Sequence, residues 1–328
     1  MSLSLLFPAC ALLSAGYLLP AYRSTQTRAA GQRLLGLQAV KQLRQLLEAL
    51  PQHRGMANAL LQGDESFRPK LTSLQASIDQ DMARTQALLS VEAHWGVGPR
   101  SQTLLDAWST IKQQLSRFSA AESFGRHTAL MTELLYLIND VADAAGLLLA
   151  ADPNARLMDT AINTLPLVTE TLGQARGMGT GVAARGRCSI EMRVKLRYLL
   201  ANTRRVAEQM GQDVRGALAQ RDAVQEADFG TRAGHALDQS QRTIQAFLSL
   251  LENDIIHERS VELAPSDFYT AGTEAIQHSF SLLDTLLGSL QHRLALVEQA
   301  QQRQLWLSRG LALALLLPAG YLLVASLA

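Results

Sequence analysis

Gln52-His53-Arg54-Gly55-Met56 and Gln174-Ala175-Arg176-Gly177-Met178 are two versions of one phrase, each set inside a long amphipathic stretch. Around the first, Leu43, Leu47, Leu50, Arg54, Ala57 and Leu61 follow steps of four and three, the spacing that keeps residues on one helix face. Around the second, Ile162, Leu165, Thr169, Leu172, Arg176, Gly179 and Ala183 do the same. Each arginine therefore stands on a bundle seam where a leucine is expected. A guanidinium in such a place is costly unless a negative group meets it. Two of them in related positions point to a site for a small anion. Each is followed by glycine, a helix-weakening residue that lets a neighbouring helix or ligand approach the backbone. Arg54, Gly55, Arg176 and Gly177 are thus the candidate ligand-binding residues.

The same seams recur along the chain. Phe280, Leu283, Leu287 and Leu290 continue the helical spacing, and no stretch alternates convincingly at period two. The expected fold is all-α, with helices over residues 24–62, 66–93, 99–118, 121–150, 155–185, 189–223, 228–259 and 265–309. Eight helices and the doubled phrase suggest two stacked antiparallel four-helix bundles, over 24–151 and 152–305. The boundary falls at Ala151-Asp152-Pro153-Asn154, where proline interrupts the pattern. Pro51 and Pro166 lie within helical patterns and are expected to kink or restart their helices.

Both ends are apolar. No charged side chain occurs from Ser2 to Tyr22 or from Gly310 to Ala328. Each run approaches the roughly 20 residues that cross a bilayer as a helix, so residues 1–23 and 306–328 are expected to be transmembrane helices flanking the bundles. Tyr17, Tyr22, Trp306 and Tyr321 fit as interfacial anchors. A cleaved signal peptide is the competing reading of the first run, but it lacks a basic leading region. A lipoprotein anchor at Cys10 is weaker still. Arg23, Arg28, Arg33 and Lys41 follow the first run, which by the positive-inside rule would put the centre in the cytosol, although long loops escape that rule.

Composition excludes several classes. The chain has 328 residues, 48% hydrophobic and 18% charged, which rules out a disordered chain. A net charge of +1 gives no footprint for nucleic acid, so no nucleic-acid partner is expected. The two cysteines do not form a disulfide framework. Asp254-x-x-His257 is an isolated fragment of metal spacing, and the nucleophile-elbow, zinc-protease and phosphate-loop patterns are missing. No catalytic residue, metal or cofactor is assigned, and an enzyme is not expected. Arg126, Arg185 and Arg187 read as solvated.

His53-Arg54-Gly55-Met56 with Leu61-Gln62-Gly63-Asp64, and Leu165-Pro166 through Gln174-Ala175-Arg176-Gly177, resemble the nitrate- and nitrite-sensing (NIT) domains of bacterial receptors. Phe124 to Leu147 and Asp267-Phe268-Tyr269 to Thr273 look like the input regions of related chemoreceptors and two-component sensor kinases. The resemblance implies an input module of two four-helix bundles whose first-helix arginines hold nitrate or nitrite, a role that falls on Arg54 and Arg176. The commoner Glu-Arg-Gly form is altered here, with His53 and Ala175 in place of the acid. It further implies a homodimer in the bacterial inner membrane, with the central domain in the periplasm. Such inputs signal by helix movement. The chain ends at Ala328, so the output is expected from a partner protein or from a domain outside this sequence. A structural or scaffolding membrane protein that binds another protein through its helical bundle is the alternative. It would pair both arginines with carboxylates of a facing helix, for which Glu133, Asp140 and Asp143 are candidates, and would leave no pocket between helices.

Overall fold

The computed structural model describes residues 3–149, 154–219 and 227–327, and every regular element among them is helical. The α-helices are α1 (Leu3–Leu61), α2 (Arg68–Val91), α3 (Gly98–Gln114), α4 (Ala120–Ala144), α5 (Ala155–Asp159), α6 (Leu165–Arg185), α7 (Ile190–Ala219), α8 (Ala227–Leu250) and α9 (Pro265–Leu327). Two π-helical segments, Thr160–Thr164 and Leu251–Ile256, follow α5 and α8. The helices fall where the apolar spacing predicts them. Two differences stand out at the ends. Residues 3–23 and 24–61 are one helix, and so are 265–305 and 306–327, because no breaker strong enough to end a helix lies between them.

The fourth expected helix, drawn to residue 150, stops at Ala144. Gly146 takes φ +70°, and its N–H bonds the Asp143 carbonyl while that of Leu147 bonds Ala142. This paired closure satisfies the last carbonyls of a helix and needs a left-handed residue, which glycine supplies without strain. The Ala-Gly-Leu spelling hides it inside an apparently helical run. At the other end of α4, the Ser119 hydroxyl accepts from the Glu122 amide, 3.1 Å, as an N-cap. Pro166 sits in the first turn of α6, directly after the π segment, so the helix restarts there as expected.

By contacts the chain forms two compact units, residues 1–36 with 291–328, and residues 37–290. The expected boundary at 151–152 lies outside the described residues. In the smaller unit the segments from α1 and α9 run antiparallel. Arg23 Nη1 donates to Gln304 Oε1 at 2.6 Å, and a Cβ added at Gly16 would meet Leu316 at 3.5 Å. Among the described residues, no helix is long and apolar enough to cross a membrane. The side chains of most of residues 1–13, and of several beyond 318, are outside the described set, so both expected spans lie partly outside it.

In the larger unit, the seams predicted around both arginines are interior. Leu43, Leu47, Leu50 and Ala57 are buried on α1, as are Ile162, Leu165, Thr169, Leu172 and Ala183 on the second seam. On one side α3 packs against α2 and α4. Trp108 Nε1 and Lys112 Nζ both donate to Asp79 at 2.8 Å, and Arg100 holds Glu133 and Asp140. Ala57, Leu71, Leu115 and Phe118 close the core at the end of α1. On the other side α7 packs against α6 and α8, and α8 meets α9 through the Phe247–Phe268 ring pair, centroids 5.0 Å apart.

That ring pair explains a glycine. Phe268 lies directly on Gly179 of α6, where a Cβ would collide with the ring edge. Gly288, exposed on α9, has open space around it. Alanine is intrinsically better than glycine in a helix by about 1 kcal/mol, whereas forced overpacking costs about 1–3 kcal/mol. Gly179→Ala is expected to lower the thermal midpoint and Gly288→Ala to raise it, as read by circular dichroism melts. Equal signs for the two would contradict the packing described.

Candidate functional site

Arg54 is 2% exposed, inside the larger unit. Its guanidinium is gripped by Glu170 of α6, with Nη1 to Oε1 2.6 Å and Nη2 to Oε2 3.3 Å. The carboxylate is itself 4% exposed, and Gln174 Nε2 donates to its Oε1 at 2.7 Å. Arg54 Nη1 also reaches the Thr128 hydroxyl of α4 at 3.3 Å. The ring of Phe124 covers the guanidinium, 4.9 Å from centroid to Cζ. Two glycines make room for this cluster. A Cβ at Gly173 would come 3.1 Å from Arg54 Nη2, and one at Gly177 would come 3.0 Å from Phe124.

The carboxylate partners expected on the facing helix are therefore corrected. Glu133 and Asp140 are taken by Arg100, and Glu170 is the acid that meets Arg54. The sequence did carry a signal for it. Glu170 is the only charged side chain between Asp159 and Arg176, in a run that is otherwise apolar or neutral.

Arg176 is 7% exposed but differently placed. Its Nη1 donates to the Thr273 hydroxyl of α9 at 2.8 Å, and Thr273 in turn donates to the Tyr269 carbonyl. The Tyr269 ring stacks on the guanidinium at 4.6 Å. Among the described residues no carboxylate lies within ion-pair distance of Arg176. Burial pushes its pKa below the ordinary arginine value. Tyr269 opposes that shift, and the charge of Arg54 adds to it. The α9 backbone approaches closely here: a Cβ at Gly272 would fall 2.8 Å from Arg176 Cγ.

A partly enclosed cavity of about 270 Å³ opens beside Arg176. Pro51, Gln52, Met56, Thr169, Tyr269 and Thr273 help to line it. Glu48 also lines it, but Arg44 holds that carboxylate at 2.6 Å. Of the four residues singled out in the sequence, Arg176 borders this cavity, while Arg54 is engaged by Glu170. Gly177 packs on Phe124. Gly55 is exposed and faces open space, so its expected part in a close approach is not met. Thr128, Glu170, Tyr269 and Thr273 are the polar members that seam reasoning missed, because three of them stand on other helices.

His53, beside Arg54 on α1, joins a buried chain that reaches α2 and α4. Its Nδ1 lies 2.7 Å from His127 Nε2, and His127 Nδ1 lies 2.7 Å from the Ser123 carbonyl. A carbonyl only accepts, so His127 carries its proton on Nδ1 and accepts from His53 Nδ1–H at Nε2. Gln75 then donates to His53 Nε2 at 3.1 Å. Burial, reinforced by His127, lowers the pKa of His53 to about 3. Burial also lowers that of His127 to about 4, with the Ser123 carbonyl opposing and Arg54 assisting.

A family model described as nitrate and nitrite sensing matches residues 45–303, and the chain belongs to that NIT family. Among solved structures it is similar to the NasR transcription antiterminator, with a TM-score of 0.63 and 19% identity, covering 92% of this chain and 82% of that one. At that identity the likeness shows the fold alone. No curated protein matches the chain.

The buried histidines make stability depend on pH. Both fold as neutral bases with pKa values depressed below 6.5, so the unfolded chain binds protons that the folded chain refuses. Their contribution is complete above about pH 6.5. It is lost as pH falls towards 4, at about 2.7 kcal/mol per pH unit for the pair. Urea midpoints of the full chain are expected to fall between pH 7 and 5. The dependence should be shallower in a His53→Gln/His127→Gln double variant, and equal pH slopes for the two proteins would refute the assignment.

Proposed function

We propose that this chain is the ligand-binding input of a nitrate or nitrite sensor, and that Arg176 is the group that meets the anion. One observation carries the reading. Arg176 is a buried guanidinium with no carboxylate within ion-pair distance among the described residues, and it borders a cavity large enough for a small oxyanion. The fork has donors left beyond its one hydrogen bond to Thr273, and a planar oxyanion can accept two of them at once. The Thr273 hydroxyl and the Tyr269 ring fix the fork so that little ordering is left for the ligand to impose. Arg54 contributes from behind, as the partner of Glu170.

The scaffolding alternative requires an internal ion pair for each arginine and no room between helices. Arg54 meets the first condition; Arg176 and its cavity meet neither. On the favoured reading the protein binds and transmits without catalysing. An anion drawing Arg176 and Thr273 together would bias the packing of α6 against α9, a small shift that packed helices can pass on as a change of state. A signalling partner or a second copy of the chain would read that movement, with residues 24–151 and 152–305 as the two stacked bundles.

The same reading anchors residues 1–23 and 306–328 in a bacterial inner membrane, with the centre in the periplasm. The charge-free terminal runs support it. So do the exposed apolar side chains Tyr17, Leu18, Leu313, Leu317 and Tyr321 in the smaller unit, which favour lipid over water. The full chain is expected to stay with membranes after alkaline carbonate washing; release into the wash would remove the anchor from the reading.

Binding is tested on the full chain in mild detergent by thermal shift and calorimetry with sodium nitrate and sodium nitrite, against sodium chloride at equal ionic strength. A hundredfold excess over Kd should stabilise the fold by about 2.7 kcal/mol. Arg176→Gln is expected to abolish the effect while the protein stays helical. Nitrate stabilisation that survives this substitution would remove Arg176 from the site, and none in the unaltered protein would end the sensing reading.

A further inference from the structure

Three buried charges lie together where α1 meets α6: Arg54, Glu170 and Arg176. Glu170 is held on both sides. Arg54 binds both of its oxygens, and Gln174, one turn along the same helix, donates to Oε1. The absent side chain at Gly173 lets the Arg54 fork lie flat against α6. The carboxylate is a planar pair of oxygens on a guanidinium, the same arrangement that nitrite or nitrate would make. We infer that Glu170 is a specificity-determining residue: it pairs with Arg54 and damps its charge, leaves Arg176 without a carboxylate of its own among the described residues, and so restricts the site to monovalent oxyanions. The inference rests on the sensing reading above and deepens it.

The physical reason is charge balance in a dry place. With two guanidinium groups and one carboxylate the site carries one net positive charge, which a monovalent anion cancels. A dianion such as sulfate would leave an uncompensated negative charge among buried groups, and such a charge is expensive. Were residue 170 neutral, Arg54 would be unmasked. Its charge already reaches Arg176, and the pair would then favour a dianion. Arg44 is shared by Glu48 at the cavity wall and by Asp284, at 2.6 and 2.8 Å, and both carboxylates stand about half in solvent, where screening weakens their weight in the count. Size alone would not give this discrimination, since a cavity of about 270 Å³ has room for sulfate as well as nitrate.

The full chain in detergent is titrated with sodium nitrate and with sodium sulfate at matched ionic strength, as wild type, Glu170→Gln and Glu170→Asp. The wild type is expected to bind nitrate and to be indifferent to sulfate. Glu170→Gln should shift the nitrate-to-sulfate affinity ratio towards sulfate by about tenfold or more, the size of one unmasked charge at short range. Glu170→Asp, which keeps the charge, should keep the nitrate preference. A ratio unchanged in Glu170→Gln, or reversed in Glu170→Asp, overturns the inference while leaving nitrate sensing intact. Should Glu170→Gln fail to fold, the wild-type ranking still decides, because sulfate binding as tight as nitrate overturns it too. A wild type that binds neither anion defeats the sensing reading, and this inference with it.

Discussion

The buried pair between Arg54 and Glu170 is the interaction on which the site depends. Moving two charges out of water costs several kcal/mol each, and their attraction repays this only when geometry is good and remaining donors and acceptors are satisfied. Here the arrangement is two-pronged, with Gln174, Thr128 and the Phe124 ring completing the surroundings. Because the partners come from α1 and α6, the pair locks the register of helices that lie far apart in sequence. It also settles what Arg176 can do. With Glu170 committed to Arg54, the second guanidinium has no carboxylate within ion-pair distance among the described residues.

Around that pair the packing follows from ordinary residue sizes. Glycines at 173, 177, 179 and 272 stand where a guanidinium, an aromatic ring or an arginine stem presses against a helix backbone. Each sacrifices helix propensity, worth about 1 kcal/mol relative to alanine, for a close approach. The glycine-rich run of α6 is therefore a contact surface for α1, α4 and α9 and not a weak helix. The histidine chain beside Arg54 belongs to the same logic. His53 stands beside the key arginine, and by bonding His127 it turns the α1 face towards α4 without adding a charge to an already crowded interior.

Much of this was legible beforehand. The seams through Arg54 and Arg176 are as buried as their spacing requires, because a period of three and four residues leaves a helix few ways to hide its apolar side. The NIT resemblance read from His53-Arg54-Gly55-Met56 agrees with the family match over residues 45–303. The helix end at Gly146 was not legible, since alanine and leucine on either side spell a continuing helix. Nor was the identity of the acid. Glu133 and Asp140 looked eligible from their place on a neighbouring helix, but Arg100 lies nearer to both. Gly55 followed an arginine just as Gly177 did, yet only Gly177 faces a packed ring.

Periodicity, composition and the doubled arginine phrase were enough to determine an all-helical chain with two guanidinium groups on interior faces, because burial of apolar faces is a local property of helix geometry. Which of those groups is already neutralised, and which is left facing a cavity, was decided only by tertiary structure. Charge compensation acts across a few ångströms of space and is blind to the sequence separation of 116 between Arg54 and Glu170.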